Sequence, residues 1–192
     1  MKPGVLPNDS AIVLDTNVIS HSKRHAFSEG MVHWMDACVD HKNELIIPQV
    51  VMYESLRNVE DAEKFQKLQK EFELYTIGEC TPEVFRCALY LNILYHQLDE
   101  TKEFARRKDI LNDLLVGAIA GKHEMRNGKK TFIASCDCDF YPPYFLQYSY
   151  HPIPHDDHPE KMTVLYLYEV NIAFANEQWR KFIKSSEMRK KK

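Results

Sequence analysis

The sequence predicts an α/β fold in which helices cover both faces of a parallel sheet, and three observations lead to it. Short apolar runs alternate along the chain with longer segments whose apolar residues recur at helical spacing. The runs at 11–14 and 131–134 show no polar alternation, which is typical of strands buried on both faces. Each of these two runs stops at a polar cluster that contains aspartate. A three-layer α/β domain is therefore expected.

The elements are expected in the following order. Apolar or β-branched runs predict strands at 11–14, 44–47, 75–77, 131–134 and 162–168. Helical periodicity, capping residues and Pro82 predict helices from Ser28, at 49–57, at 59–74, at 82–98, from about 108 to Gly128, and at 171–184. Residues 141–161, rich in Pro, Tyr and His, are expected to form an extended loop at the edge of the sheet.

Composition favours one globular domain spanning residues 1–192, with a basic C-terminal tail at 185–192. Of the 192 residues, 44% are hydrophobic and 28% are charged, and no internal repeat or linker interrupts them. A net charge of -3 excludes a strongly basic nucleic-acid coat. The longest apolar run, Leu114 to Ala120, is too short for a bilayer, so no membrane association is expected. Five cysteines without the spacing of a secreted scaffold, and no apolar leader, indicate a cytoplasmic protein.

Several acidic side chains lie near the predicted ends of strands, where parallel sheets bind their ligands. Asp15 ends the first buried strand, Asp137 and Asp139 follow the strand at 131–134, and Glu54 and Asp113 lie on neighbouring helices. The carboxyl ends of parallel strands meet at one rim, where carboxylates that converge would repel one another. A divalent cation would relieve that repulsion, and oxygen ligands favour Mg²⁺ or Mn²⁺ over zinc. Such sites serve phosphoryl transfer.

Four motifs that contain these acids resemble the motifs of PIN-domain nucleases, the family that includes VapC-type toxins of bacterial toxin–antitoxin pairs. Residues 13–19 (VLDTNVI) look like the opening motif, and residues 53–54 (YE) are similar to the second acid. Residues 113–120 (DLLVGAIA) resemble the third motif, and residues 132–140 (FIASCDCDF) resemble the fourth. The four motifs occur in the family's order and span about two thirds of the chain.

The resemblance implies a Rossmann-like sheet carrying a Mg²⁺- or Mn²⁺-dependent endoribonuclease site that hydrolyses phosphodiester bonds of single-stranded or structured RNA. It implies Asp15, Asp113 and Asp137 as metal ligands, with Glu54 completing the acidic ring. Asp139 is the alternative to Asp137, since two acids two residues apart face the same side of an extended segment. We favour Asp137 because it is nearer the strand end.

Other residues of these motifs are expected to support the acids. The resemblance implies that Thr16 and Ser135 hold the carboxylates by hydrogen bonds and that Asn17 orients the site or a substrate phosphate. Basic residues before Asp113 and after the first motif are candidate phosphate contacts or solvated helix ends. These are Lys23, Arg24 and Arg107.

The expected partners are an RNA substrate, an antitoxin protein and a second copy of the chain, the latter two through apolar residues of the helix at 59–74. One alternative is a PIN-like binding or scaffold module without activity, against which the retention of four acids counts. Another is a Mg²⁺-dependent phosphatase of the haloacid-dehalogenase kind, which also opens with an aspartate at a strand end. That family needs a second aspartate two residues later, where this chain has Asn17.

Overall fold

The computed structural model describes residues 2–23, 26–57, 59–98, 110–137 and 145–190. Within these ranges the strands are β1 Lys2–Pro3, β2 Ala11–Leu14, β3 Glu44–Pro48, β4 Thr76–Gly78, β5 Thr131–Ser135, β6 Phe145–Pro154 and β7 Met162–Val170. The helices are α1 Thr16–Ser22, α2 Ser28–Asp40, α3 Gln49–Leu56, α4 Ala62–Phe72, α5 Pro82–Leu98, α6 Ile110–Asn127 and α7 Ile172–Lys190.

All of these strands join one sheet in the order β1-β6-β7-β5-β2-β3-β4. Strands β5, β2, β3 and β4 pair in parallel, as do β1 and β6. Strand β7 is antiparallel to both of its neighbours, so every other strand of this sheet runs in one direction. The predicted α/β class with a central parallel sheet is confirmed, and the reversed β7 is the exception to it.

The route of the chain creates a point at which strand order reverses. From β2 the chain moves outward to β3 and β4, then crosses back to β5 on the other side of β2. Because such crossovers are right-handed, α1 to α4 cover one face and α5 and α6 cover the other. Contacts agree, since Gly30 of α2 packs on Ile153 of β6, whereas Gly117 of α6 packs on Phe145, beyond a register shift in the same strand. Open α/β sheets bind ligands beside such a switch point, here between β2 and β5.

The expected loop at 141–161 is wrong for residues 145–154, which form a strand, whereas residues 155–161 are a loop. Strand β6 occupies residues 145–154 and pairs with β7 along its whole length, while residues 141–144 lie outside the described ranges. Prolines 152 and 154 suggested a loop, but β1 pairs only with Ser149 and Tyr150. Beyond that short pairing β6 is an edge strand, where a missing backbone N–H is tolerated.

The core lies between the sheet and its two helical layers. Ile12, Leu14 and Ile133 on the central strands are fully buried, as expected for strands that face helices on both sides. None of the described helices has the length and apolar character needed to cross a membrane. Helix α7 continues to Lys190, so the segment expected as a tail is helical over its described part. Its Glu, Met, Arg and Lys are all good helix formers.

Candidate functional site

Asp15 stands at the switch point, immediately after β2. Its backbone N–H donates to the carbonyl of Ala134 at 3.0 Å, which continues the pairing of β2 with β5. Its side chain caps α1, since Oδ1 accepts a hydrogen bond from the Thr16 N–H at 2.7 Å. An aspartate suits this position because its oxygen satisfies a backbone donor that the first helical turn leaves unpaired. The strand and the helix together fix the carboxylate at the rim of the sheet.

Ser135 and Asn17 hold the second oxygen of the same carboxylate. The Ser135 hydroxyl, at the end of β5, donates to Asp15 Oδ2 at 2.7 Å, and Asn17 Nδ2 donates to it at 3.0 Å. Asn17 Nδ2 also lies 3.0 Å from Ser135 Oγ, and its Oδ1 accepts from the Cys136 N–H at 2.8 Å. These bonds connect the ends of β2 and β5. Ser135, expected to hold a carboxylate, and Asn17, expected to orient the site, therefore contact Asp15 and each other.

The ionisation of Asp15 is disfavoured by its surroundings. The side chain is nearly inaccessible, and this burial raises its pKa. Hydrogen bonds from Ser135 and Thr16 act in the opposite direction without reversing the shift. The carboxylates of Glu54 and Asp137 raise the pKa further because they lie close enough to repel its charge. Three of the predicted acids thus share one electrostatic environment, which a cation would stabilise.

Glu54 reaches the site from α3 and is held from two sides. Its Oε2 accepts a hydrogen bond from the Thr16 hydroxyl, and its Oε1 accepts one from the Asn112 side-chain amide. Thr16 therefore binds both acids, Asp15 through its backbone and Glu54 through its side chain. The sequence analysis missed Asn112. Its position beside Asp113, in the first turn of an otherwise apolar helix, was the available signal.

The remaining predicted acids are placed less directly. Asp113 is half-buried in the first turn of α6, beside the Asn112 that anchors this end of the helix to Glu54. The Asp137 N–H donates to Ser135 Oγ at 3.1 Å, which keeps its half-buried side chain next to the end of β5. Asp139 lies outside the described residues, so the choice between Asp137 and Asp139 stays a prediction.

The basic candidates fall into two groups. Arg24 and Arg107 lie outside the described residues. The Lys23 ammonium forms an ion pair with Glu71 at 2.9 Å and lies 4.6 Å from the centre of the Phe72 ring. Lys23 is therefore engaged by the last two residues of α4 rather than held toward a phosphate.

The oxygen donors of the site are of the kind that could hold a hydrated divalent cation. In the described ranges no three His, Cys, Asp or Glu side chains are grouped closely enough to form a metal cage. Mg²⁺ usually keeps several waters and uses one or two carboxylates, which Asp15 and its acidic neighbours can supply. Asp15, Glu54 and Asp137 provide oxygen ligands and the charge that a divalent cation would neutralise.

Comparison with known proteins finds only solved structures of low similarity. No protein-family model matches the chain, and no curated protein matches it. The crystal structure of FitAcB from Neisseria gonorrhoeae is 21% identical over 59% of this chain and 82% of that chain, with a TM-score of 0.40. The structure of FitAB bound to the IR36 DNA fragment is 20% identical over 62% of this chain and 87% of that chain, with the same TM-score of 0.40. At this level of similarity, the fold is assigned from its strand order. The candidate site is assigned from its hydrogen bonds and burial.

Proposed function

We propose that this protein is a PIN-type endoribonuclease that depends on Mg²⁺ or Mn²⁺ and hydrolyses phosphodiester bonds in RNA. The observation that carries the proposal is the environment of Asp15. Burial at the switch point of the sheet raises the pKa of this aspartate, and the charges of Glu54 and Asp137 raise it further. Strongly perturbed acids in such a position are candidates for function. The resemblance of the four acidic motifs supplies the reaction class.

The residues of the site have separable roles in this proposal. Asp15 and Asp137 would hold the cation, with Asp113 as the further ligand that the motif resemblance implies. A bound divalent cation would activate water and neutralise the phosphate charge. Thr16 fixes the positions of Asp15 and Glu54 relative to each other because it donates a hydrogen bond to both. Ser135 and Asn17 fix the orientation of the Asp15 carboxylate, which a cation needs for a defined geometry. Hydrolysis would leave a 5′-phosphate and a 3′-hydroxyl.

The decisive experiment is incubation of purified protein with single-stranded RNA in Mg²⁺, in Mn²⁺ and in EDTA. We expect cleavage in either metal, none in EDTA, and none with Asp15→Asn. Asp40→Asn is the matched control because Asp40 is an exposed aspartate at the end of α2. Circular dichroism would verify that both variants are folded. Cleavage by Asp15→Asn at the wild-type rate would refute the assignment.

A role as the toxin of a cytoplasmic toxin–antitoxin pair is the physiological form of this proposal. Exposed apolar side chains on and after α4 support a covering partner, either an antitoxin protein or a second copy of the chain. Phe65 is 40% exposed and Leu74 is 83% exposed. Expression of the wild type should arrest growth, and Asp15→Asn should not. Light scattering that shows a monomer, together with purification in which no co-expressed protein is retained, would contradict the covering partner. The nuclease assignment would remain.

The scaffold alternative predicts a different result in the same assay. A PIN-like module without activity would bind RNA equally well with and without metal and leave it uncut. Asp15→Asn would then change binding only through the local charge. A phosphatase would instead release phosphate from a small phosphomonoester and leave the RNA intact.

A further inference from the structure

The surface next to Glu54 carries an exposed aromatic residue and an arginine on one face of the chain. Tyr53 on α3 is 68% exposed, and Arg57 directly after α3 is also exposed. The Arg57 N–H donates to the Tyr53 carbonyl at 2.9 Å, so the two residues are separated by one helical turn. Side chains at this spacing are neighbours about 5–6 Å apart at their Cβ atoms. The Tyr53 and Arg57 side chains therefore start from neighbouring positions on one face of the helix.

This pair is fixed relative to the acidic cluster because Glu54 belongs to the same helix. Thr16 and Asn112 bind the two carboxylate oxygens of Glu54 and so hold α3 against α1 and α6. Tyr53 is the residue before Glu54, and it points to solvent where Glu54 is half-buried. Tyr53 is thus exposed on the same helix that carries Glu54 into the site that the proposed function uses.

Arg57 carries a positive charge at this surface. Within the described ranges it forms no ion pair, whereas Lys23, directly after α1, is paired with Glu71. An unpaired guanidinium beside an exposed ring matches the repeating chemistry of a nucleic-acid strand, in which a flat base follows each phosphate. Arginine binds phosphate through a planar fork of donors, and aromatic rings stack on any base.

We propose that Tyr53 and Arg57 form a platform for single-stranded RNA, with a base stacked on Tyr53 and the adjacent phosphate bound by Arg57. The platform would guide the strand to Asp15, and in that respect the inference rests on the proposed function.

The test is the affinity of the protein for a fluorescein-labelled oligouridine, measured by anisotropy in EDTA so that the RNA stays intact. Tyr53→Ala should weaken binding roughly 5- to 150-fold, the range found for the loss of one base–aromatic stack. Tyr53→Trp should preserve binding, since the flat ring remains. Phe85→Ala is the matched control, because Phe85 is an aromatic residue 44% exposed on α5; its affinity should equal that of the wild type.

The salt dependence of binding tests Arg57 separately. Arg57→Gln should reduce the slope of the logarithm of the binding constant against the logarithm of salt concentration by about 0.7, the value for one phosphate contact on a single strand. Arg86→Gln is the control, since Arg86 lies 3.6 Å from Glu83 on the face of α5. Its slope should not change.

The outcomes separate this inference from the proposed function. Cleavage that depends on metal, together with unchanged affinity in Tyr53→Ala, overturns the platform and leaves the nuclease standing. Affinity that depends on Tyr53 without any cleavage overturns the nuclease and supports the platform. A wild type that binds no oligouridine at low salt overturns the platform as well.

Discussion

The amide of Asn112 can be tested directly by substitution, because it donates a hydrogen bond from α6 to the Glu54 carboxylate of α3. Replacing Asn112 by aspartate keeps the size of the side chain and turns the donor into a second carboxylate. A hydrogen bond to a charged acceptor contributes about 1.5–3 kcal/mol. Two like charges about 4 Å apart repel by about 1 kcal/mol in water and about 4 kcal/mol at an effective dielectric constant of 20.

Glu54 and Asn112 are both half-buried, so the repulsion lies between these limits and the new carboxylate can partly rotate away. We expect Asn112→Asp to lower the free energy of unfolding by roughly 2 to 4 kcal/mol. The protein should remain folded, because domains of this size have stabilities of about 5–15 kcal/mol. Urea unfolding near neutral pH, followed by circular dichroism, measures the difference.

The double variant Asn112→Asp with Glu54→Gln reverses the polarity of the contact. The new amide can donate to the new carboxylate, and its carbonyl oxygen can still accept from the Thr16 hydroxyl. The double variant should therefore recover most of the loss, with a coupling energy of at least about 1 kcal/mol. Asn127→Asp, at the exposed end of α6, is the control and should cost only a few tenths of a kcal/mol. Additive effects within about 0.5 kcal/mol would refute the contact between α3 and α6.

Two further predictions concern the fold. A Cβ on Gly117 would lie 2.6 Å from Phe145 Cζ, so Gly117→Ala should destabilise the protein by about 1–3 kcal/mol in urea unfolding. Gly121→Ala is the control and should not destabilise it, because the nearest atom to a Cβ there is 3.9 Å away. Equal effects of the two substitutions would contradict the packing of α6 on β6. Burial acts to raise the pKa of Asp156, but hydrogen bonds from Ser28 outweigh it and hold the pKa below its ordinary value. The stabilisation that ionised Asp156 gives the fold is full above about pH 4 and is lost as the pH falls through the lower folded-state pKa. Asp156→Ala should therefore lower Tm near pH 7 and lower it progressively less at more acidic pH. A difference in Tm that does not depend on pH would contradict this.

The elements that the sequence predicts well are those whose pattern has one physical explanation. Strands β2 and β5 are continuous apolar runs because helices cover both of their faces, and their acids follow from where the strands end. The prediction for the segment that forms β6 was wrong for the opposite reason. Its two prolines are compatible with a strand only at an edge, and whether a segment lies at an edge depends on its neighbours rather than on its own residues.

Asn112 shows a similar limit at the site. Successive helical residues differ by about 100° in direction, so the first turn of α6 could present either Asn112 or Asp113 to α3. The acid is the more conspicuous residue, and the motif resemblance also selects it. In the structure the side-chain amide of Asn112 donates the hydrogen bond to Glu54. Hydrogen-bond complementarity explains this choice, since the amide supplies a donor to the Glu54 side chain and a carboxylate supplies none.

Two aspartates that cap helices show why Asp15 is the stronger functional candidate. Asp156 accepts hydrogen bonds from the backbone and hydroxyl of Ser28 at the start of α2, and its pKa is lowered. Asp15 performs the same task for α1, yet burial and two neighbouring carboxylates raise its pKa. A raised pKa means that ionised Asp15 reduces stability as the pH rises, so capping alone does not account for the acidic neighbours. A cation drawn to three carboxylates would account for them, and it would stabilise the fold most where Asp15 is fully ionised.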